Sequence, residues 1–208
     1  MLKFTKLQNS RKGSTARTTL QAIAAVGAAF ALSAGASAAD HSFDYRMLAT
    51  SKTSTMEKEL NEGAAAGYRF SKVMGGKATN GGQVIIVMVK ATVVPAQEIP
   101  KYRILSTTRT STMQTEMQQL ADGGYSYRDH TVFESASGGK EVAVIMELDS
   151  LKNQGPYSSY RLLATTRTST MQKELQEAGA QGYVLLGFTV GKTGAGGSEI
   201  ITILRKDK

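Results

Sequence analysis

The sequence predicts an α+β protein made of three tandem β-α-β-β repeats. Each is expected to be a three-stranded sheet of order 1-3-2 with one helix on one face, the three packed together. Three observations carry this reading. Tyr-Arg-x-Leu recurs at residues 45–48, 102–105 and 160–163, and Thr-Ser-Thr-Met at 53–56, 110–113 and 168–171. Gly67-Tyr68, Gly124-Tyr125 and Gly182-Tyr183 follow at one fixed distance, and a Gly-Gly pair recurs at 81–82, 138–139 and 196–197. The copies lie 57 and 58 residues apart, and the alignment needs no gap inside a block. All three prolines, Pro95, Pro100 and Pro156, fall between blocks, where a residue that breaks helices and sheet ladders does least harm.

The elements follow in order within each block. Residues 160–165 form a β-rich run of strand length. Ser169 with Gln172 has the spacing of a capping box, matched by Ser54 with Glu57 and Ser111 with Gln114. Each Ser is expected to accept from an orphan amide of the first turn, worth about 1 kcal/mol. Met171, Leu175 and Ala178 then recur at helical spacing, as do Met113, Met117 and Leu120. Gly182 ends the helix, because a left-handed residue is needed there. A second strand covers 183–190, the Gly-rich segment 191–197 turns the chain, and a third strand covers 199–205. A right-handed crossover followed by a hairpin places the third strand between the first two. The third strands are apolar on both sides, with Ile85, Val87 and Val89 on one and Ile86 and Met88 on the other. Such a sheet must be covered twice, and the helix covers one face. Sister repeats or a partner are expected on the other.

Ahead of the repeats lies a presequence. Residues 1–39 hold no acid and carry Lys3, Lys6, Arg11, Lys12 and Arg17. An apolar run over 20–32 and the small-x-small pattern Ala36-Ser37-Ala38 complete the features of a cleavable signal peptide. The run is shorter than the roughly 20 apolar residues that span a bilayer, so no transmembrane anchor is expected after processing. Domain boundaries follow: a signal peptide over 1–39 and repeats over 40–95, 96–154 and 155–208, with linkers near 91–100 and 149–158. Localisation is expected to be periplasmic or secreted, in a bacterium. The presequence also corrects the charge. The whole chain carries +8, but removing five of its 25 Lys and Arg and none of its 17 Asp and Glu leaves +3. Without a basic stripe interleaved with aromatics, nucleic-acid binding is not expected. Cysteine is absent, which excludes thiol nucleophiles and zinc-thiolate sites.

The Tyr-led strand, the helix ending in Gly-Tyr and the closing hairpin with Gly-Gly resemble a family of small bacterial β-α-β-β domains of unknown function. Leu60-Asn61-Glu62-Gly63 leading to Gly67-Tyr68 is the nearest match to the family pattern. The resemblance spans each repeat and implies a compact β-α-β-β fold. It brings no established activity, and Thr-Ser-Thr-Met lies outside the pattern.

Chemistry is sparse. The segment 187–193 resembles a phosphate loop one residue short, but it leads into a turn where a helix is required, and reads as a hairpin loop. His41 and His130 lack neighbours at metal or triad spacing and read as a terminal polar residue and a solvated strand residue. Glu59, Glu116 and Glu174 read as solvated helix flanks. No catalytic residue, metal site or cofactor is expected. One segment exceeds what folding requires. Thr-x-[Arg/Lys]-Thr-Ser-Thr places Lys52, Thr53 and Ser54, Arg109, Thr110 and Ser111, and Arg167, Thr168 and Ser169 at the three helix starts. Hydroxyls, a cation and a helix N-terminus together suit small anions.

The expectation is therefore an exported, non-enzymatic repeat protein, an interaction or binding module whose partner is a protein or envelope component. The alternative is a small anionic ligand binder using these loops. An oligomer is compatible with either. N-terminal analysis of exported protein is expected to find Ala39 or Asp40 first; retention of residues 1–38 would overturn the signal-peptide reading.

Overall fold

Gly at a left-handed position stops each helix, and β-rich runs follow on either side of a hairpin, so every repeat resolves into the same four elements. The computed structural model describes residues 42–78, 81–92, 98–107, 109–134, 140–148, 158–192 and 197–207. The presequence, His41, Pro95, Pro156, the segment 149–157 and the hairpin residues Gly138, Gly139, Thr193 and Gly196 lie outside them. Asp40–Lys208 forms a compact unit by itself.

Repeat 1 comprises β1 (Phe43–Thr50), α1 (Thr53–Ala65), β2 (Arg69–Ala78) and β3 (Gly81–Ala91). Repeat 2 comprises β4 (Lys101–Thr107), α2 (Thr110–Asp122), β5 (Ser126–Glu134) and β6 (Lys140–Leu148). Repeat 3 comprises β7 (Ser159–Thr165), α3 (Thr168–Ala180), β8 (Val184–Lys192) and β9 (Ser198–Lys206). The sheets are antiparallel, in the orders β1-β3-β2, β4-β6-β5 and β7-β9-β8, as the sequence predicts. Among the described residues no helix is long and apolar enough to cross a membrane.

The helix ends behave as expected at one terminus only. Gly67, Gly124 and Gly182 have φ of 89°, 88° and 85°. Tyr68 N donates to Gly63 O and Gly67 N to Ala64 O, the paired bonds of a Schellman motif, and the other two helices repeat them. The N-termini depart from the capping boxes expected. The N-cap residues are Lys52, Arg109 and Arg167, with no side-chain cap, and Ser54, Ser111 and Ser169 sit inside the first turn. The hydroxyls of Thr50, Thr107 and Thr165 instead accept from the N-cap amides at 3.2, 3.1 and 3.3 Å. This turn fixes the strand exit and starts each helix two residues earlier than Ser capping would.

The strand pairing also corrects the gap-free alignment. Lys77, Glu134 and Lys192 are equivalent, and they pair with Gly82, Lys140 and Ser198. The hairpin of repeat 1 is thus one residue shorter than the others. By the pairing Gly82 corresponds to Lys140, so the Gly-Gly identity at 81–82 and 138–139 is displaced by one residue.

The repeats interlock through both faces of their sheets. Leu48, Val84, Ile86 and Met88 of sheet 1 share a core with Met56 and Leu60 of α1. Tyr102, Phe133, Ala143 and Ile145, from the back of sheet 2, enter that same core. The next junction repeats the plan: Met113, Met117, Val142, Val144 and Met146 meet Tyr160, Ile201 and Ile203 from the back of sheet 3. One helix spans about 10 Å, too narrow for a three-stranded sheet with strands near 4.8 Å apart and the side chains flanking them. Each helix therefore shares its sheet with the following repeat. The approach is close at Gly75, where an added Cβ would fall 1.8 Å from Val132 O.

A tyrosine pins each junction. A bulge lies between Phe70 and Lys72 in β2 and between Tyr127 and Asp129 in β5. The amides of Phe70 and Tyr127 donate to the hydroxyls of Tyr102 and Tyr160 at 3.0 and 2.8 Å. Tyr102→Phe and Tyr160→Phe are each expected to cost about 1–3 kcal/mol in denaturant unfolding, because a donor loses its acceptor inside the protein. Tyr45→Phe, at the equivalent but exposed position, should stay within about 0.5 kcal/mol.

Candidate functional site

The residues expected to bind anions occupy three separate turns. Lys52, Arg109 and Arg167 are exposed, as are Ser54, Ser111 and Ser169. None of the three cations forms an ion pair among the described residues. Arg109, Thr107 and Thr110 border a dimple of about 10 Å³ with Met113, Val142 and Ile201, room for no more than one water molecule. The helix starts are thus open turns with uncapped amides beside a cation. The segment resembling a phosphate loop runs along β8 from Gly187 to Lys192 and leads into no helix. Among the described residues no group of three His, Asp or Glu is placed to hold a metal ion.

The richest polar geometry lies elsewhere, where a helix meets the free edge of the next sheet. Asn61 on α1 donates through Nδ2 to Tyr102 O at 3.0 Å and accepts from Tyr102 N at 2.9 Å. Glu57 Oε2 accepts from Ile104 N at 2.8 Å. At the next junction Gln118 bonds Ser158 O and Tyr160 N at 3.2 and 3.0 Å, and Gln114 Oε1 accepts from Leu162 N at 2.9 Å. Two side chains one helical turn apart therefore replace a neighbouring strand. This closes an edge that would otherwise stand open to pairing with another chain. Glu57 and Gln114, the acid and amide assigned to capping boxes, serve here. Their spacing suited both roles, and only the position of the next strand separates them. The signal that could have exposed the role is the i, i+4 pair Glu57/Asn61, Gln114/Gln118 and Gln172/Gln176, repeated on one helix face.

Two clefts flank the junctions. One of about 590 Å³ is lined by Gln114, Gln118, Asp122, Tyr160, Arg161 and Tyr183, with Arg161 5.4 Å from the Tyr183 ring centre. The other, about 460 Å³, is lined by Phe43, Tyr68, Arg69, Lys90, Ile99 and Pro100 among others.

No family model, curated protein or solved structure matches the chain. Its function must be read from its own surfaces.

Two ionisable groups, one buried and one half-buried, carry no signal in the sequence pattern. Glu147 is 3% exposed on the back of sheet 2, its Oε2 3.2 Å from Arg128 Nε. His130, expected as a solvated strand residue, is half-buried at the second junction. Its Nδ1 lies 2.7 Å from the Tyr127 hydroxyl, and Gly187 of repeat 3 packs against its ring. Burial lowers its pKa from the ordinary 6.5, opposed by the Phe188 backbone and by Asp129. The unfolded chain takes up the proton as pH falls through about 6.5, whereas the folded chain does so only at lower pH. This contribution to stability is full above that range and is lost as pH falls toward the depressed folded value. Denaturant unfolding is expected to show a larger fall in stability from about pH 7.5 to about pH 5 for the wild type than for His130→Gln. Equal slopes would place His130 in solvent.

Proposed function

We propose that this chain is an exported, non-enzymatic interaction module that works in the bacterial envelope or outside the cell. The observation that carries this reading is an uncovered sheet face. On the back of sheet 1, Phe43, Tyr45, Met47 and Met74 are 55, 65, 70 and 58% exposed. Register places the half-buried Ile85, Val87 and Val89 on the same face. Contiguous apolar surface of this kind marks interaction sites, whereas single exposed apolar residues do not. The presequence supports export, and the resemblance to small bacterial β-α-β-β domains supports a bacterial setting.

A second reading, a binder of small anions, is favoured by one observation. All three helices begin with a cation at the N-cap and no side-chain cap. Free amides at a helix N-terminus attract anions, and a neighbouring guanidinium adds charge-assisted bonds.

One experiment addresses both. Wild-type protein immobilised at low density is expected to retain a component of an envelope extract, and Met47→Lys with Met74→Lys to lose it. Equal retention by both proteins would sink the first reading. In parallel, phosphate and sulfate are titrated in a thermal-shift measurement against Arg109→Ala with Arg167→Ala. Those exposed changes should leave stability within about 0.5 kcal/mol. An anion-dependent rise in wild type that the double variant lacks would favour the second reading, and no rise in either would remove it.

A further inference from the structure

The surfaces joined inside the molecule recur, unjoined, at its two ends. Each junction mates the back of one sheet with the helix-bearing side of the repeat before it. From the following repeat come an opening tyrosine, its edge amides and an apolar sheet back. From the preceding repeat come a pair of helix side chains, a bulged strand and that strand's apolar residues. Repeat 1 presents the first set to solvent: Tyr45 is 65% exposed where Tyr102 and Tyr160 are 1 and 3% exposed. The amides of Tyr45 and Met47 occupy the positions of Tyr102 N and Ile104 N, on the edge of β1 that faces away from β3. Repeat 3 presents the second set. Gln172 and Gln176 stand where Gln114 and Gln118 stand in α2, exposed and without a hydrogen-bond partner among the described residues. The bulge recurs between Leu185 and Gly187. Leu185, Phe188 and Val190 are 46, 70 and 61% exposed, at the positions of Tyr127, His130 and Val132, which repeat 3 covers.

We propose that a second copy of this chain docks head to tail, repeat 1 of one copy on repeat 3 of another. The joint reproduces the two internal junctions: the Tyr45 hydroxyl accepts from the Leu185 amide, and Gln172 and Gln176 clasp the edge of β1. The partner is fixed by continuity with interfaces the chain already makes. The mating surfaces differ, so the contact is heterologous and builds either a closed ring or an open filament. The inference rests on the interaction-module reading and names its partner.

The test uses the exported chain, purified, in sedimentation velocity over a concentration series up to millimolar. Wild type is expected to sediment faster than a monomer, increasingly so with concentration. A head variant, Tyr45→Ala with Met47→Lys, and a tail variant, Phe188→Lys with Val190→Lys, should each run as monomers with wild-type circular dichroism. Mixed in equal amounts they should form a dimer that grows no further, because one sound head meets one sound tail. A wild type that stays monomeric, a tail variant that still self-associates, or a mixture that forms no dimer would each overturn the proposal. Face-dependent retention of an envelope component by a strictly monomeric wild type would overturn head-to-tail assembly while leaving the interaction-module reading standing.

Discussion

A three-stranded sheet with apolar side chains on both faces cannot be enclosed by one helix, and everything else in this molecule answers that constraint. The helix covers the β1 side of sheet 1, and the back of sheet 2 covers the β2 side. By binding the edge of β4, α1 joins sheet 2 laterally, so helix and sheet lie together over sheet 1. Core burial is the main driving force here, at roughly 25 cal/mol per Å². The polar contacts act differently. They decide which strand edge meets which helix and at what register, since an edge amide left without a partner inside a junction is costly.

The same residue type takes different roles by position. Tyr102 and Tyr160 are buried, and desolvation holds both hydroxyls above the ordinary tyrosine pKa. Neutral at any physiological pH, each is free to accept a bond from a bulge amide. Tyr45 has the same local sequence and is exposed, because no described residue covers it as sheet 1 covers Tyr102. Gln172 and Gln176 are exposed in the same way, with no strand edge against them among the described residues. Tandem duplication copies the whole unit, joint surfaces included, so an array of any length keeps one unmatched surface at each end. Natural repeat arrays commonly close such ends with polar capping units. Here Phe43, Met47, Phe188 and Val190 remain apolar, which sets this array apart from a capped one.

Close approach between repeats narrows the choice of residue at particular sites. Gly75 tolerates no Cβ because the backbone of β5 crosses it, and Gly187 accommodates the His130 ring for a similar reason. These glycines lie in strands, where an isolated Gly signals a bulge or a nearby backbone. The left-handed glycines Gly67, Gly124 and Gly182 have a local cause, so they are equivalent in all three repeats. Gly75 and Gly187 are not equivalent to each other, because each answers a neighbour that differs from junction to junction.

That difference marks the boundary between local and tertiary control of this fold. Strand and helix order, the sheet order 1-3-2, the helix stops and the need for a second cover over each sheet all follow from short-range rules. Those rules depend on period, turn chemistry and chain connectivity, and they act within one repeat. The capping-box spacing alone could not decide the fate of Glu57 and Gln114, because a capping box and an edge clasp place the same residue types at the same helix position. The shorter hairpin of repeat 1 was hidden by matching glycines, and only the pairing of Lys77 with Gly82, against Glu134 with Lys140, exposes it. The burial of His130 depends on Gly187, 57 residues further along the chain. Contacts between repeats are chosen by shape and by unpaired backbone groups that lie far apart in the chain, and no pattern within one repeat encodes their meeting.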